Sequence, residues 1–286
     1  MSISAQMVKE LREKTGAGMM DCKKALVAND GDMEKAIDWL REKGLSKAAK
    51  KAGRATTEGL LGVHIAEDGK SAVAVEVKCE TDFVARGDKF QDFVKQVLGL
   101  VVSDFPADTA SLLARPAEGG TVQDMLNSAI ATIGENMQIG RAVKMELSNP
   151  GVVGNYLHSN GKLVALVEVN AATVNDAVLA AAKNVAMQVA AANPLSVDAK
   201  SLDPAAEERE REVYRQKARA EGKPEQIVER IAEGAVKKFH KEVCLLDQPY
   251  IRDDKKSVAD MLKEASKEAG TPITVARFVR LQLGVE

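Results

Sequence analysis

The stretch "GLLGVHIAEDGKSAVAVEV", Gly59 to Val77, returns without a gap as "GVVGNYLHSNGKLVALVEV", Gly151 to Val169. Gly59 falls on Gly151, Gly62 on Gly154, Gly69-Lys70 on Gly161-Lys162, and Val75-Glu76-Val77 on Val167-Glu168-Val169. The offset, 92 residues from Gly62 to Gly154, still holds where Gln96-Val97 meets Gln188-Val189. Spaced glycines in one ungapped register mark an internal duplication. In the first copy, two apolar β-branched runs surround the polar turn Glu67-Asp68-Gly69, the pattern of a β-hairpin. The helix "DKFQDFVKQVLGLVVS" follows, with Phe90, Phe93, Val94 and Val97 at i, i+3, i+4 and i+7. Two units are too few for a solenoid, so the pattern predicts two packed half-domains of α+β class.

Three short helices precede the first copy. "ISAQMVKELREKTGAG" puts Met7, Val8 and Leu11 on one face and stops at Gly16 and Gly18. "MMDCKKALVANDGD" ends at Asn29-Asp30-Gly31, and "DMEKAIDWLREKG" starts from an Asp32 cap with Ile37, Trp39 and Leu40 available for packing. The basic segment "SKAAKKAGRATTEG", Ser46 to Gly59, either extends the third helix or runs free. A unit this small does not enclose a pocket and reads as a docking module.

Between the copies, "TVQDMLNSAIATIGE" reads as a helix and "NMQIGRAVKMEL" as a returning strand. After the second copy, Asp203 caps a helix with Pro204 at its first position and acidic residues in its first turn. Gly222-Lys223-Pro224 breaks it, and the second arm aligns Ile227, Val228, Ile231, Ala235 and Phe239 on one stripe. This predicts an inserted antiparallel helical hairpin, a projecting coiled coil. "HKEVCLLDQPYI" and "ITVARFVRLQLG" read as strands flanking the helix "SVADMLKEASKEAG". The expected domains are residues 1–55, 56–147, 148–200 together with 240–286, and the insertion 201–239.

Composition narrows the function. With 40 Lys+Arg against 42 Asp+Glu, the formal charge of −2 lacks the basic excess of a dedicated nucleic-acid binder. Aromatics are 3% of 286 residues, so the cores are expected to be aliphatic. Cys22, Cys79 and Cys244 are odd in number and far apart, as expected of reduced thiols in a cytoplasmic protein. The charged segment "MSISAQMVKELREK" lacks the apolar centre of a signal peptide, and no apolar run is long enough to span a membrane.

Motifs that promise chemistry do not complete. Gly69-Lys70-Ser71 resembles the end of a phosphate loop, but the required earlier glycine is His64. Gly16-Ala17-Gly18 lacks the third glycine of a dinucleotide fingerprint, where Asp21 stands. His64, His158 and His240 are too scattered for a metal cluster. No cofactor, metal or enzymatic activity is expected.

The duplication isolates one feature, in "KCETDFVARGDKF", Lys78 to Phe90. Thr81 falls on Thr173, but Asp82 falls on Val174 and Phe83 on Asn175. Phe83 is either a core anchor of the first copy or a side chain displayed for a partner. A core anchor would be expected to leave an apolar residue in the sister copy, which tilts the reading toward display.

At these residues the chain resembles the bacterial elongation factor Ts family. "VKELREKTGAGMMDCKKAL" (Val8 to Leu26), "TDFV" (Thr81 to Val84), "IGENMQIGR" (Ile133 to Arg141), "GKP" (Gly222 to Pro224) and "KKF" (Lys237 to Phe239) carry the resemblance over nearly the whole chain. It implies a ubiquitin-associated-like N-terminal module, two related core subdomains and a projecting coiled coil. It also implies a guanine nucleotide-exchange factor whose partner is the GTPase elongation factor Tu; the alternative, a non-catalytic adaptor or RNA-associated binding protein, would use the basic linker Lys47 to Arg54 and the helical hairpin. By the same resemblance, Thr81, Asp82, Phe83 and Val84 form the turn that reaches the partner's nucleotide site, with Asp82 and Phe83 most involved. Lys9, Arg12, Met19, Met20 and Lys23 stand in the N-terminal docking motif, where the Met pair is equally readable as core. His158 holds the position of a partner-contacting His. Some relatives continue into a helical tail; this sequence stops at Glu286, so contacts of such a tail are not carried over.

Overall fold

The computed structural model describes residues 3–285, so the Glu286 terminus lies outside them. The chain divides into two compact units. Of the described residues, the first contains 3–64, Val73–Val143 and 283–285; the second contains Ile65–Ala72 and Lys144–Gln282.

The first unit starts with helices α1 (Ala5–Thr15), α2 (Met19–Ala28) and α3 (Met33–Ala49). Ser4 caps α1 and Asp32 caps α3, each accepting a backbone N–H, as expected of short polar side chains at a helix start. Leu11, Cys22, Ala25, Leu26 and Ala36 are their shared core. The first four residues of the basic segment, 46–49, extend α3, and residues 50–57 run outside any helix or strand to β1. Gly44 is buried there: a Cβ on it would lie 3.7 Å from Cβ of Ala131, so the glycine marks a close helix approach.

Next come strands β1 (Glu58–Ile65) and β2 (Ser71–Cys79), helices α4 (Asp82–Ala85), α5 (Asp88–Ser103) and α6 (Thr109–Ala114), and the small pair β3 (Pro116–Ala117) and β4 (Gly120–Thr121). Helix α7 (Val122–Ile133) and strand β5 (Met137–Glu146) complete the series. The sheet order is β1-β2-β5. Val75, Val77, Phe90, Phe93, Val97 and Ile130 belong to its core.

The second unit repeats this plan. Strands β6 (Gly151–Leu157) and β7 (Leu163–Asn170) lead into α8 (Asp176–Ala192). The hairpin of α9 (Pro204–Ala220) and α10 (Glu225–Val243) follows, then a short 3₁₀ turn, Leu245–Asp247. Strands β8 (Pro249–Tyr250) and β9 (Asp253–Ser257), helix α11 (Val258–Ala269) and strand β10 (Thr274–Gln282) close it. The sheet order is β10-β7-β6, antiparallel throughout. No described helix is long and apolar enough to cross a membrane.

Two expectations fail here. "HKEVCLLDQPYI" is not a strand: α10 continues to Val243, the 3₁₀ turn follows, and only Pro249–Tyr250 is extended. The period of α10 runs on to Val243, Cys244 breaks it with an extended backbone, and Leu245 in the 3₁₀ turn packs into the core. The stripe on α10 is also rotated: Val228, Ala232 and Val236 are buried, at i, i+4 and i+8, while Ile227 is exposed.

The two central strands share an unusual residue. β2 and β7 are buried on both faces, yet each holds a glutamate, Glu76 and Glu168, at the duplicated position. In each unit the third strand supplies an arginine: Arg141 Nε lies 3.5 Å from Glu76, and Arg277 Nε lies 2.7 Å from Glu168. Glu168 also accepts the Ser148 N–H at 2.6 Å. Burial opposes its charge, but the Arg277 and Ser148 hydrogen bonds prevail and hold its carboxyl below the ordinary range. A depressed folded pKa adds stability above the unfolded value, near 4.3, that is lost as pH falls through the folded value. Glu168→Gln is therefore expected to flatten the fall in melting temperature below about pH 4, checked by thermal melts across pH.

Candidate functional site

The Thr81–Val84 turn is built by one difference between the copies. In the second copy, Asn175 stands where the first has Phe83, and it caps an unbroken α8 by accepting the Val178 N–H at 3.2 Å. In the first copy the cap moves back to Thr81, whose hydroxyl accepts the Val84 N–H at 3.3 Å. The four-residue α4 then stops, and Gly87 donates its N–H to Val84 O at 2.9 Å before opening α5. Leu179 holds the matching position within α8. Glycine is a poor helix former, and here it separates α4 from α5.

The break leaves Phe83 outside. Its side chain is 86% exposed, and it is the only exposed one of the six phenylalanines. Phe90, seven residues on, is buried. Ala85 is buried and Val84 packs against the core, so the turn is anchored on one side and bare on the other. Asp82 is also exposed and pairs with Arg86 at 2.8 Å, a contact in water that adds little stability.

A second loop holds the turn. The Glu135 carboxylate accepts the Thr81 hydroxyl at 2.7 Å and the N–H groups of Thr81 and Glu80 at 3.0 and 3.2 Å. The Glu80 carboxylate in turn accepts the Asn136 N–H at 2.6 Å. Asn136 is buried, and its amide donates to Arg54 O at 2.8 Å. Arg54 reaches Glu80 at 3.4 Å. Burial, helped by Arg54, lowers the Lys51 pKa from its ordinary value, against the pull of Glu80 and Glu135. Glu135 falls within "IGENMQIGR", where nothing in the sequence marks it out for this role.

The other expected residues lie elsewhere. Lys9 and Arg12 on α1, and Met19, Met20 and Lys23 on α2, are all exposed, so the methionines are not core. His158 follows β6 in the second unit; it is exposed, and its Nδ1 lies 3.1 Å from the Tyr156 hydroxyl. A cleft of about 600 Å³ in the first unit is lined by residues such as Ile37, Leu40, Leu100 and Met125, and none of the turn residues lines it.

A family model described as elongation factor TS matches residues 80–285, which includes the turn, Glu135, strand β5 and the whole sheet of the second unit. The chain belongs to the elongation factor Ts family. It is 57% identical to elongation factor Ts of Lawsonia intracellularis (strain PHE/MN1-00), over 100% of both chains. Elongation factor Ts of Nitratidesulfovibrio vulgaris (strain DP4) is 58% identical over 99% of this chain and 96% of the relative. That of Clostridium novyi (strain NT) is 50% identical over 99% of this chain and 93% of the relative. Within an elongation factor Ts, the exposed Phe83 turn is the feature to be explained.

Proposed function

We propose that the chain is a guanine nucleotide-exchange factor for elongation factor Tu, with Asp82-Phe83 as the element that loosens GDP. The observation that carries this reading is the exposed phenylalanine on a clamped turn that one duplicated copy has and the other lacks. A bare aromatic on a fixed backbone loses little entropy on insertion into a partner.

Exchange is a coupling between two ligands: the factor binds better when nucleotide is loose, and nucleotide weakens the factor equally. Loosening GDP about 10⁴-fold needs roughly 5.5 kcal/mol of differential binding. Burying one Phe supplies about 1.5–3 kcal/mol. Phe83 therefore acts within a wider interface. The three N-terminal helices, a ubiquitin-associated-like module in this reading, dock through Met19 and Met20, with Lys9, Arg12 and Lys23 beside them. His158 adds a contact from the second unit. The α9–α10 hairpin serves as a coiled coil, seamed by Val228, Ala232 and Val236. Phe83 wedges between GTPase helices and shifts the groups that hold Mg²⁺ and the phosphate loop; Asp82 competes for local donors. With Mg²⁺ lost, the phosphates lose their largest counter-charge and GDP leaves.

The test is release of fluorescent GDP from elongation factor Tu. Acceleration by catalytic amounts of the chain supports the reading, and no acceleration at any concentration overturns it. If the wedge acts through Mg²⁺, stripping the metal with a chelator beforehand should shrink the chain's rate advantage by at least about tenfold. An undiminished advantage would remove Mg²⁺ from the mechanism. The RNA-associated alternative rests on the basic segment, but Lys47 is bound to Asp21 at 2.8 Å and Arg54 to Glu80.

A further inference from the structure

We infer that Glu135 is a positioning residue for Phe83, fixing the turn through a reciprocal exchange of carboxylates between two loops. The inference rests on the exchange reading above. Glu135 accepts three donors, all from Glu80 and Thr81, the two residues that lead into Asp82-Phe83. Glu80 returns the bond by accepting the Asn136 N–H. Each loop thus donates backbone N–H groups to a carboxylate of the other, and neither loop can shift alone without breaking bonds at both.

The fit is specific to this geometry. Thr81 has two tasks at one oxygen: it donates to Glu135 and accepts from the Val84 N–H, which starts α4. A hydroxyl does both, and its direction is set by the acceptor at Glu135. The carboxylate therefore fixes both the backbone leading into the turn and the cap that coils it. Charge-assisted bonds to ionised groups are the stronger and more directional kind. Arg54 pairs with the Glu80 carboxylate at 3.4 Å and offsets part of the charge the two glutamates bring together. Phe83 itself makes no such contact: it is bare, so its direction is inherited from the backbone beneath it. An inserting group misplaced by about 1 Å can lose up to about 10²-fold in rate.

Glu135→Ala, Phe83→Ala and the double variant decide it in the full chain. Two readouts are needed: GDP release from elongation factor Tu at saturating factor, and hydrogen exchange of the Glu80 and Thr81 amides in the factor alone. Glu135→Ala is expected to slow maximal release about tenfold and to deprotect both amides, with amides in β7 unchanged. Glu135→Gln keeps one carbonyl acceptor for the backbone and should recover part of both effects. In the Phe83→Ala background, Glu135→Ala should cost much less than about tenfold, because the ring that the turn aims is gone and only Asp82 remains on it. Losses that multiply in the double variant, or deprotected amides with undiminished release, would overturn the inference. If Glu135→Ala unfolds the first unit, Thr81→Val carries the test: it removes the hydroxyl from both bonds and should slow release with the same dependence on Phe83. Full exchange activity in Phe83→Ala alone would instead overturn the exchange reading of the turn, a result distinct from failure of the clamp.

Discussion

Phe83→Ala is expected to fold like the parent chain and to lose roughly 10- to 100-fold of its exchange efficiency. Both halves follow from exposure. A side chain 86% exposed contributes almost nothing to the factor's own core, so the change in unfolding free energy should stay within about 0.5 kcal/mol. If the ring is buried in the partner when GDP loosens, its removal costs the burial of one Phe, about 1.5–3 kcal/mol. That converts to the stated loss at about 1.4 kcal/mol per factor of ten. Denaturant titration and a release assay on the same preparation separate the two effects. Asp82→Ala should do less, since Asp82 is exposed and already paired with Arg86.

The second large effect concerns the scaffold. Gly59 and Gly151 open the first strand of each copy at positive φ, 144° and 159°. A Cβ at Gly59 would run into the Val77 carbonyl and lie 2.8 Å from Cα of Lys78; at Gly151 it would run into the Val169 carbonyl and lie 2.9 Å from Cα of Asn170. The neighbours are backbone atoms of the central strand and cannot swing away. Gly59→Ala and Gly151→Ala should each cost roughly 3 kcal/mol or more, a large share of the typical 5–15 kcal/mol of a folded domain. Gly99 is the control. It lies within α5, and a Cβ added there would meet nothing within 4 Å, so Gly99→Ala should stabilise by about 0.5–1 kcal/mol. Urea unfolding checks all three, and equal midpoints for Gly59→Ala and Gly99→Ala would contradict the close-packed reading.

The same glycines make the duplication readable. A position where any Cβ collides with backbone admits one residue type, so Gly59 and Gly151 keep their identity while Leu60 and Val152 drift. Glu76 and Glu168 are visible in the repeat for a related reason: each faces an arginine from a third strand. What distinguishes the copies is legible too, because a duplicated scaffold leaves an unduplicated Phe in plain view. The clamp is not legible. Glu135 lies 54 residues from Thr81 in the chain, and no periodicity links a loop carboxylate to a distant turn. Gly44, which reads as the end of a helix, sits inside α3 because tertiary contact with α7 outweighs its weak propensity. Strand propensity misreads the end of α10 because Val243, Cys244 and Leu245 are apolar in either structure, and only the length of the preceding helical period separates them.

The claim at the centre is that Phe83 drives release while the rest of the interface holds the factor in place. Maximal GDP release from elongation factor Tu, measured by stopped flow at saturating factor, tests it most directly. Phe83→Ala should saturate at a concentration within about threefold of the parent chain and plateau at least about tenfold lower. A plateau equal to the parent's, reached only at higher concentration, would make Phe83 an ordinary binding contact and contradict the account.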